Sequence, residues 1–79
     1  MNDFKFEIVK HYGTLATSST GWKKEVNLVS WNNSPARLDI RDWSPDHERM
    51  GRGINFTPDE AGKLYMLLAE AMADPSWQE

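Results

Sequence analysis

The 79-residue chain contains no cysteine, which excludes disulfide staples and thiolate metal sites and suits a reducing compartment. No segment approaches the roughly 20 consecutive apolar residues of a membrane-spanning helix. The start, Met1-Asn2-Asp3-Phe4-Lys5, lacks the basic stretch and apolar run of an export signal, so a soluble cytoplasmic protein with no membrane partner is expected. Histidine is scarce. His11 and His47 have no carboxylate at ligand spacing, so both read as surface groups, and neither a metal nor another cofactor is expected. Repeats, low-complexity tracts and long linkers are also missing, leaving one domain over 1–79 with its core at about 4–73. A monomer of this size buries only about 60% of the surface that its unfolded chain exposes, so a second copy would help it.

Basic charge is in deficit, with nine Lys and Arg against twelve Asp and Glu for a net charge of -3. The deficit is uneven. Residues 1–56 hold eight basic and seven acidic side chains, whereas residues 57–79 hold Lys63 against five carboxylates. A sheet face in the first part can therefore be locally positive, although binding to polyanions should be less indiscriminate than that of a strongly basic protein.

What the chain does have is alternation followed by a helical stripe. Phe4, Phe6 and Ile8 alternate with Lys5, Glu7 and Val9, which predicts a first strand over 4–10, continued by Tyr12–Ala16 after a bend at Gly13. Thr17–Gly21 is a polar turn, and Trp22–Trp31 a second strand. The parity of that strand stays open: Val26 and Leu28 go with Lys24, Val29 and Trp31 with Lys23. Asn32-Asn33-Ser34-Pro35 closes a hairpin, because asparagine tolerates left-handed backbone angles. Arg37–Trp43 is the third strand, 44–50 a loop, and Gly53–Phe56 the fourth. Thr57-Pro58-Asp59-Glu60 is a capping box with proline at the first helical position. The stripe Leu64, Leu67, Leu68, Ala71 and Met72 carries the helix to Asp74-Pro75.

The third strand carries the chemistry. Alternation puts Leu38 and Ile40 on a core face and Arg37, Asp39, Arg41 and Trp43 on the other. An exposed indole flanked by guanidiniums suits single-stranded nucleic acid, since bases stack on the ring while the cations hold phosphates. The bland alternative is a solvated strand whose indole packs on Pro45. Lys23 and Lys24 beside Trp22 admit phosphate contact or a plain charged strand end. Gly51-Arg52-Gly53 admits a phosphate approach through Arg52 or a turn, and lacks the spacing of a phosphate loop. Ser44, Asp46 and His47 crowd into four loop positions where relay geometry is out of reach, and with no convergent site the chain is expected not to be an enzyme.

In order and spacing, Leu38-Asp39-Ile40-Arg41-Asp42-Trp43, Gly51-Arg52-Gly53-Ile54-Asn55-Phe56, the capping box and the amphipathic helix resemble the carboxy-terminal domain of the transcriptional positive cofactor four (PC4) family. Gly21–Glu25, Val29–Asn32 and Trp43–Glu48 are similar to its short bacterial branch, the YdbC-like proteins. The resemblance covers roughly residues 4–72. It implies an α+β fold, a curved four-stranded antiparallel sheet followed by one C-terminal helix, assembled as a homodimer. It also implies sequence-tolerant binding of single-stranded DNA, with a role in transcription regulation or genome maintenance. Carried over, Trp43 would stack bases with Arg41 and Arg37 beside it, Arg52 would supply the basic residue before the last strand's glycine, and Trp31 would be the other stacking aromatic. The serine-rich and acidic regulatory segment of eukaryotic members is missing from this sequence. Two alternatives stand beside this expectation: an interaction module meeting a protein of the transcription machinery, and an RNA binder, since no position can be assigned to reading a 2′-hydroxyl.

Overall fold

The computed structural model describes residues 5–77. Four strands, β1 (Phe6–Thr17), β2 (Lys23–Trp31), β3 (Arg37–Trp43) and β4 (Met50–Phe56), form an antiparallel sheet in sequential order, and α1 (Pro58–Ala73) follows. This is the expected α+β architecture. Phe4, expected to begin the first strand, lies outside the described residues. The fourth strand starts earlier than the sequence suggests, because Met50 pairs with Trp43. The turns follow side-chain chemistry: Asn32 and Asn33 take φ of 50° and 64°, as their tolerance of left-handed angles allows. Gly21 takes φ of 90°, and a Cβ there would lie 3.1 Å from Pro45 Cγ.

Register shifts bend the sheet. β1 slips against β2 at three places, one of them between His11 and Gly13, and β3 slips against β4 between Arg41 and Trp43. Each bulge adds a residue to one strand and sharpens local bending. The result can be read from two rings. Phe6 lies opposite Trp31 and Trp43 opposite Lys23, positions about 26 Å apart on an extended β2. Their ring centroids are nevertheless 5.2 Å apart. The sheet must curl so that both ends of this face converge.

Curling encloses the face. Val29, Asn27 and Asp39 have no exposed surface beneath the converging side chains, and Trp43 is wholly buried with them. Val29 and Trp43 are the only fully buried apolar residues among those described. The opposite face remains open: Val26, Leu28, Leu38, Ile40 and Phe56 are half-buried, and Ile54 is 56% exposed. α1 covers only part of it, touching β3 and β4, and none of its residues is buried. Leu67 and Leu68 remain 61% and 52% exposed.

The start of α1 is held by Thr57, whose Oγ1 accepts from Glu60 N at 3.2 Å while Glu60 Oε1 accepts from Thr57 N at 2.9 Å. At the other end Asp74, in extended conformation ahead of Pro75, donates its backbone N–H to Ala71 O. Thr57→Ala is expected to cost about 1 kcal/mol of stability, read as a lower denaturation midpoint. An unchanged midpoint would show that the cap contributes nothing. No helix among the described residues is long and apolar enough to cross a membrane.

Candidate nucleic-acid interface

The concave face is built from alternate residues of all four strands. β2 supplies Lys23, Glu25, Asn27, Val29 and Trp31, and its pairing with β3 sets Arg37, Asp39, Arg41 and Trp43 beside them. This resolves the open parity of β2: Trp31 shares the face of the two arginines. Lys24 pairs with Asp42 and Ala16 on the far side, so of the two adjacent lysines only Lys23 belongs to this face. Arg52 is exposed at the β3–β4 register shift, one residue out of phase with Gly53, the partner of Arg41. It therefore does not join the cluster. Trp22 is half-buried beside the loop, with the Arg49 guanidinium 6.0 Å from its ring centre.

Trp43 requires a correction. Alternation assigns it to the arginine face, and it is there, but that face closes over it. Phe6 tilts against it at 5.2 Å and His47 stacks on it at 5.8 Å between centroids, and its relative exposure is 0%. No ring surface is left for a base, and the indole is the centre of the small core. Its Nε1 is also buried with no hydrogen-bond partner.

Arg41 also differs from the expected open cation. Its Nε and Nη2 donate to the two oxygens of the buried Asp39 carboxylate, each at 2.7 Å, and Nη1 donates to Gly51 O at 3.3 Å. A paired, hydrogen-bonded ion pair of this kind is tolerated inside, whereas removing one partner strands a buried charge. The guanidinium plane meanwhile lies 4.5 Å from the centre of the Trp31 ring. Arg41 is thus a brace behind Trp31. Gly53 makes room for it: a Cβ there would approach Arg41 Nε and Ile40 O to 2.7 Å, closer than real Cβ atoms come.

Trp31, half-buried, lines a groove of about 260 Å³ with Ser34, Pro35, Arg37 and Asn55. Arg37 is exposed and reaches Asn55 Oδ1 at 3.5 Å. Arg37 thus lines the same groove as Trp31 and is open to solvent. Of the two indoles expected on the arginine face, Trp31 is the one that lines a groove together with a solvent-exposed arginine.

A second cluster, centred on Glu25, was missed. Glu25 is 3% exposed; His47 Nε2 contacts its two oxygens at 3.1 and 2.9 Å, and Asn27 Nδ2 donates to Oε1 at 3.0 Å. Burial alone would raise the pKa of Glu25, but the hydrogen bonds from Asn27 and His47 and the charges of His47 and His11 outweigh it and hold the carboxyl below its ordinary value. The histidines are thus tied to a buried carboxylate. A depressed folded-state pKa stabilises the protein above the unfolded glutamate value of about 4.3 and ceases to do so as pH falls through the folded value. Glu25→Gln is accordingly expected to lose less stability than the parent between pH 7 and pH 3.5 in denaturant titrations; equal losses would contradict the linkage. Ser44 and Asp46, by contrast, only shape the loop: Ser44 Oγ donates to Asp46 Oδ1 at 2.7 Å and accepts from Arg49 N at 3.0 Å.

A curled antiparallel sheet with one flanking helix, carrying an indole and a solvent-open guanidinium along its concave side, defines a small sheet-based binding domain. Residues 18–67 match the family described as Transcriptional Coactivator p15 (PC4), and the chain belongs to that family. At family level this makes it a nucleic-acid-binding transcription cofactor. A protein of Treponema pallidum (strain Nichols) named only "Uncharacterized protein" is 43% identical over 74 residues, 94% of this chain and 87% of its own length.

Proposed function

We propose that the protein is a cytoplasmic, non-enzymatic homodimer that binds single-stranded DNA with little sequence preference, as in the YdbC-like branch, in the service of transcription or genome maintenance. The observation that carries the reading is Trp31, braced by Arg41 at 4.5 Å and opening with Arg37 onto a groove of about 260 Å³. Bases stack on such a ring regardless of identity, while Arg37 and Lys23 meet phosphates. Dimerisation is supported by the open apolar side: Ile54, Leu67, Leu68 and Met72 are each more than half exposed, and a monomer of this size gains greatly from covering them.

Labelled oligothymidine of about 20 nucleotides is the test, followed by anisotropy at low and moderate salt beside the matching duplex and the matching RNA. The expected result is tight, salt-sensitive binding with a preference for the DNA single strand, by a species of twice 9.1 kDa in sedimentation. Absence of binding at low salt would overturn the DNA reading in favour of a protein partner, and a preference for the RNA would reassign the ligand.

A further inference from the structure

Stacking at Trp31 leaves the β1 side of the concave face unexplained. Glu25 is six residues from Trp31 along β2, on the same side of the strand. Two histidines from separate elements meet there: His47 of the β3–β4 loop, bonded to the carboxylate as described, and His11 of the edge strand β1, whose Nδ1 is 3.6 Å from Glu25 Oε1. Asn27 sets the polarity. Its Nδ2 donates to Glu25, so its Oδ1 accepts from His11 Nδ1 at 2.6 Å. The neutral tautomers therefore carry their protons on His11 Nδ1 and His47 Nε2, and each ring keeps its other nitrogen for a second proton.

Access is asymmetric. The histidine side chains are 50% and 40% exposed, whereas that of Glu25 is 4% exposed beneath them. Together with Thr14, Lys23 and Ile8 they line a groove of about 320 Å³. The charges around it can be taken element by element. β1 contributes His11, and β2 contributes Lys23 and Glu25. β3 contributes Asp39 and Arg41, which are closed on each other. The loop contributes His47, Asp46, Glu48 and Arg49, with Asp46 engaged by Ser44 Oγ and Glu48 N. With neutral imidazoles the groove sets one carboxylate against Lys23. Two protons turn the His11–Glu25–His47 group from net negative to net positive, and histidine is the side chain suited to such a switch.

We infer that this groove is a proton-gated subsite for a phosphate of the bound strand, weak when the histidines are neutral and Lys23 is balanced by Glu25, and strengthened when they are charged. The inference rests on the single-strand reading above and adds to it a site and its regulation. Oligothymidine is the right probe because neither thymine nor the phosphodiester changes charge between pH 6 and pH 8. Affinity is expected to rise roughly tenfold from pH 8 to pH 6, the scale of one charge-assisted contact. The slope of log affinity against log salt should steepen by about 0.7 for each phosphate engaged.

The comparison is the parent against His11→Gln/His47→Gln, which should bind at pH 8 and show no gain at pH 6. Because His47 also stacks on Trp43, His11→Gln alone serves as a second variant; it is expected to keep the near-UV circular dichroism of the parent and lose a clear part of the pH response. Binding by the parent that is flat in pH, or a pH response retained in both variants, would overturn the subsite while leaving the Trp31 site intact. No binding of oligothymidine at either pH would overturn the single-strand reading and the subsite with it.

Discussion

Trp43→Ala is expected to unfold the protein or cost about 3–5 kcal/mol, the scale for truncating a large buried aromatic. Trp43 is one of two fully buried apolar side chains among the described residues, and it holds Phe6 from one end of the sheet and His47 from the loop. Little else is available to close a void there, since Val29 is already enclosed and the opposite face is open. The measurement is a urea titration followed by tryptophan fluorescence, with sedimentation to establish the oligomeric state. A variant that keeps the parent's midpoint and loses only DNA affinity would contradict the buried placement and restore Trp43 as an exposed stacking residue.

Trp31→Ala is expected to do the reverse, leaving the fold in place and lowering oligothymidine affinity by about 1–3 kcal/mol, roughly five- to 150-fold, the scale of one base–aromatic stack. Arg41 stacks on the indole yet is held independently by Asp39 and Gly51 O, so losing the ring should not release the guanidinium. Trp31→Phe should recover part of the affinity, since a smaller ring still stacks. Affinity of Trp31→Ala within twofold of the parent, with folding intact, would remove Trp31 from the site. Arg37→Ala offers a control of different character: losing one phosphate contact should weaken all sequences alike and reduce the salt slope by about 0.7.

Much of the fold is legible in local residue chemistry. The capping box at Thr57 and Glu60, the asparagine turn at 32–33, the alternation of Arg37–Trp43 and the bend at Gly13 each depend on neighbours a few residues away, and each is found where its residues imply. The site is less legible because it depends on curvature. Alternation assigns side chains to faces, but it does not say whether a face stays open or curls on itself, and this is what separates buried Trp43 from partly exposed Trp31. The histidine cluster was hidden for a related reason: His11 reaches Asn27 across 16 positions, and His47 reaches Glu25 across 22. One signal was available. Glu25 and Asn27 share the parity of Val29 and Trp31, so polar side chains on that face needed partners from elsewhere.

The most direct test of the central claim is a heteronuclear NMR titration of the full chain with unlabelled oligothymidine, following the four indole resonances and the backbone amides. The account predicts shifts concentrated at Trp31, Arg37 and Lys23, with Trp43 moving little and Lys24 and the helix around Leu67 and Leu68 unaffected. Shifts confined to the helix and the open apolar face, with Trp31 unmoved, would contradict it and place the ligand on the other side of the sheet.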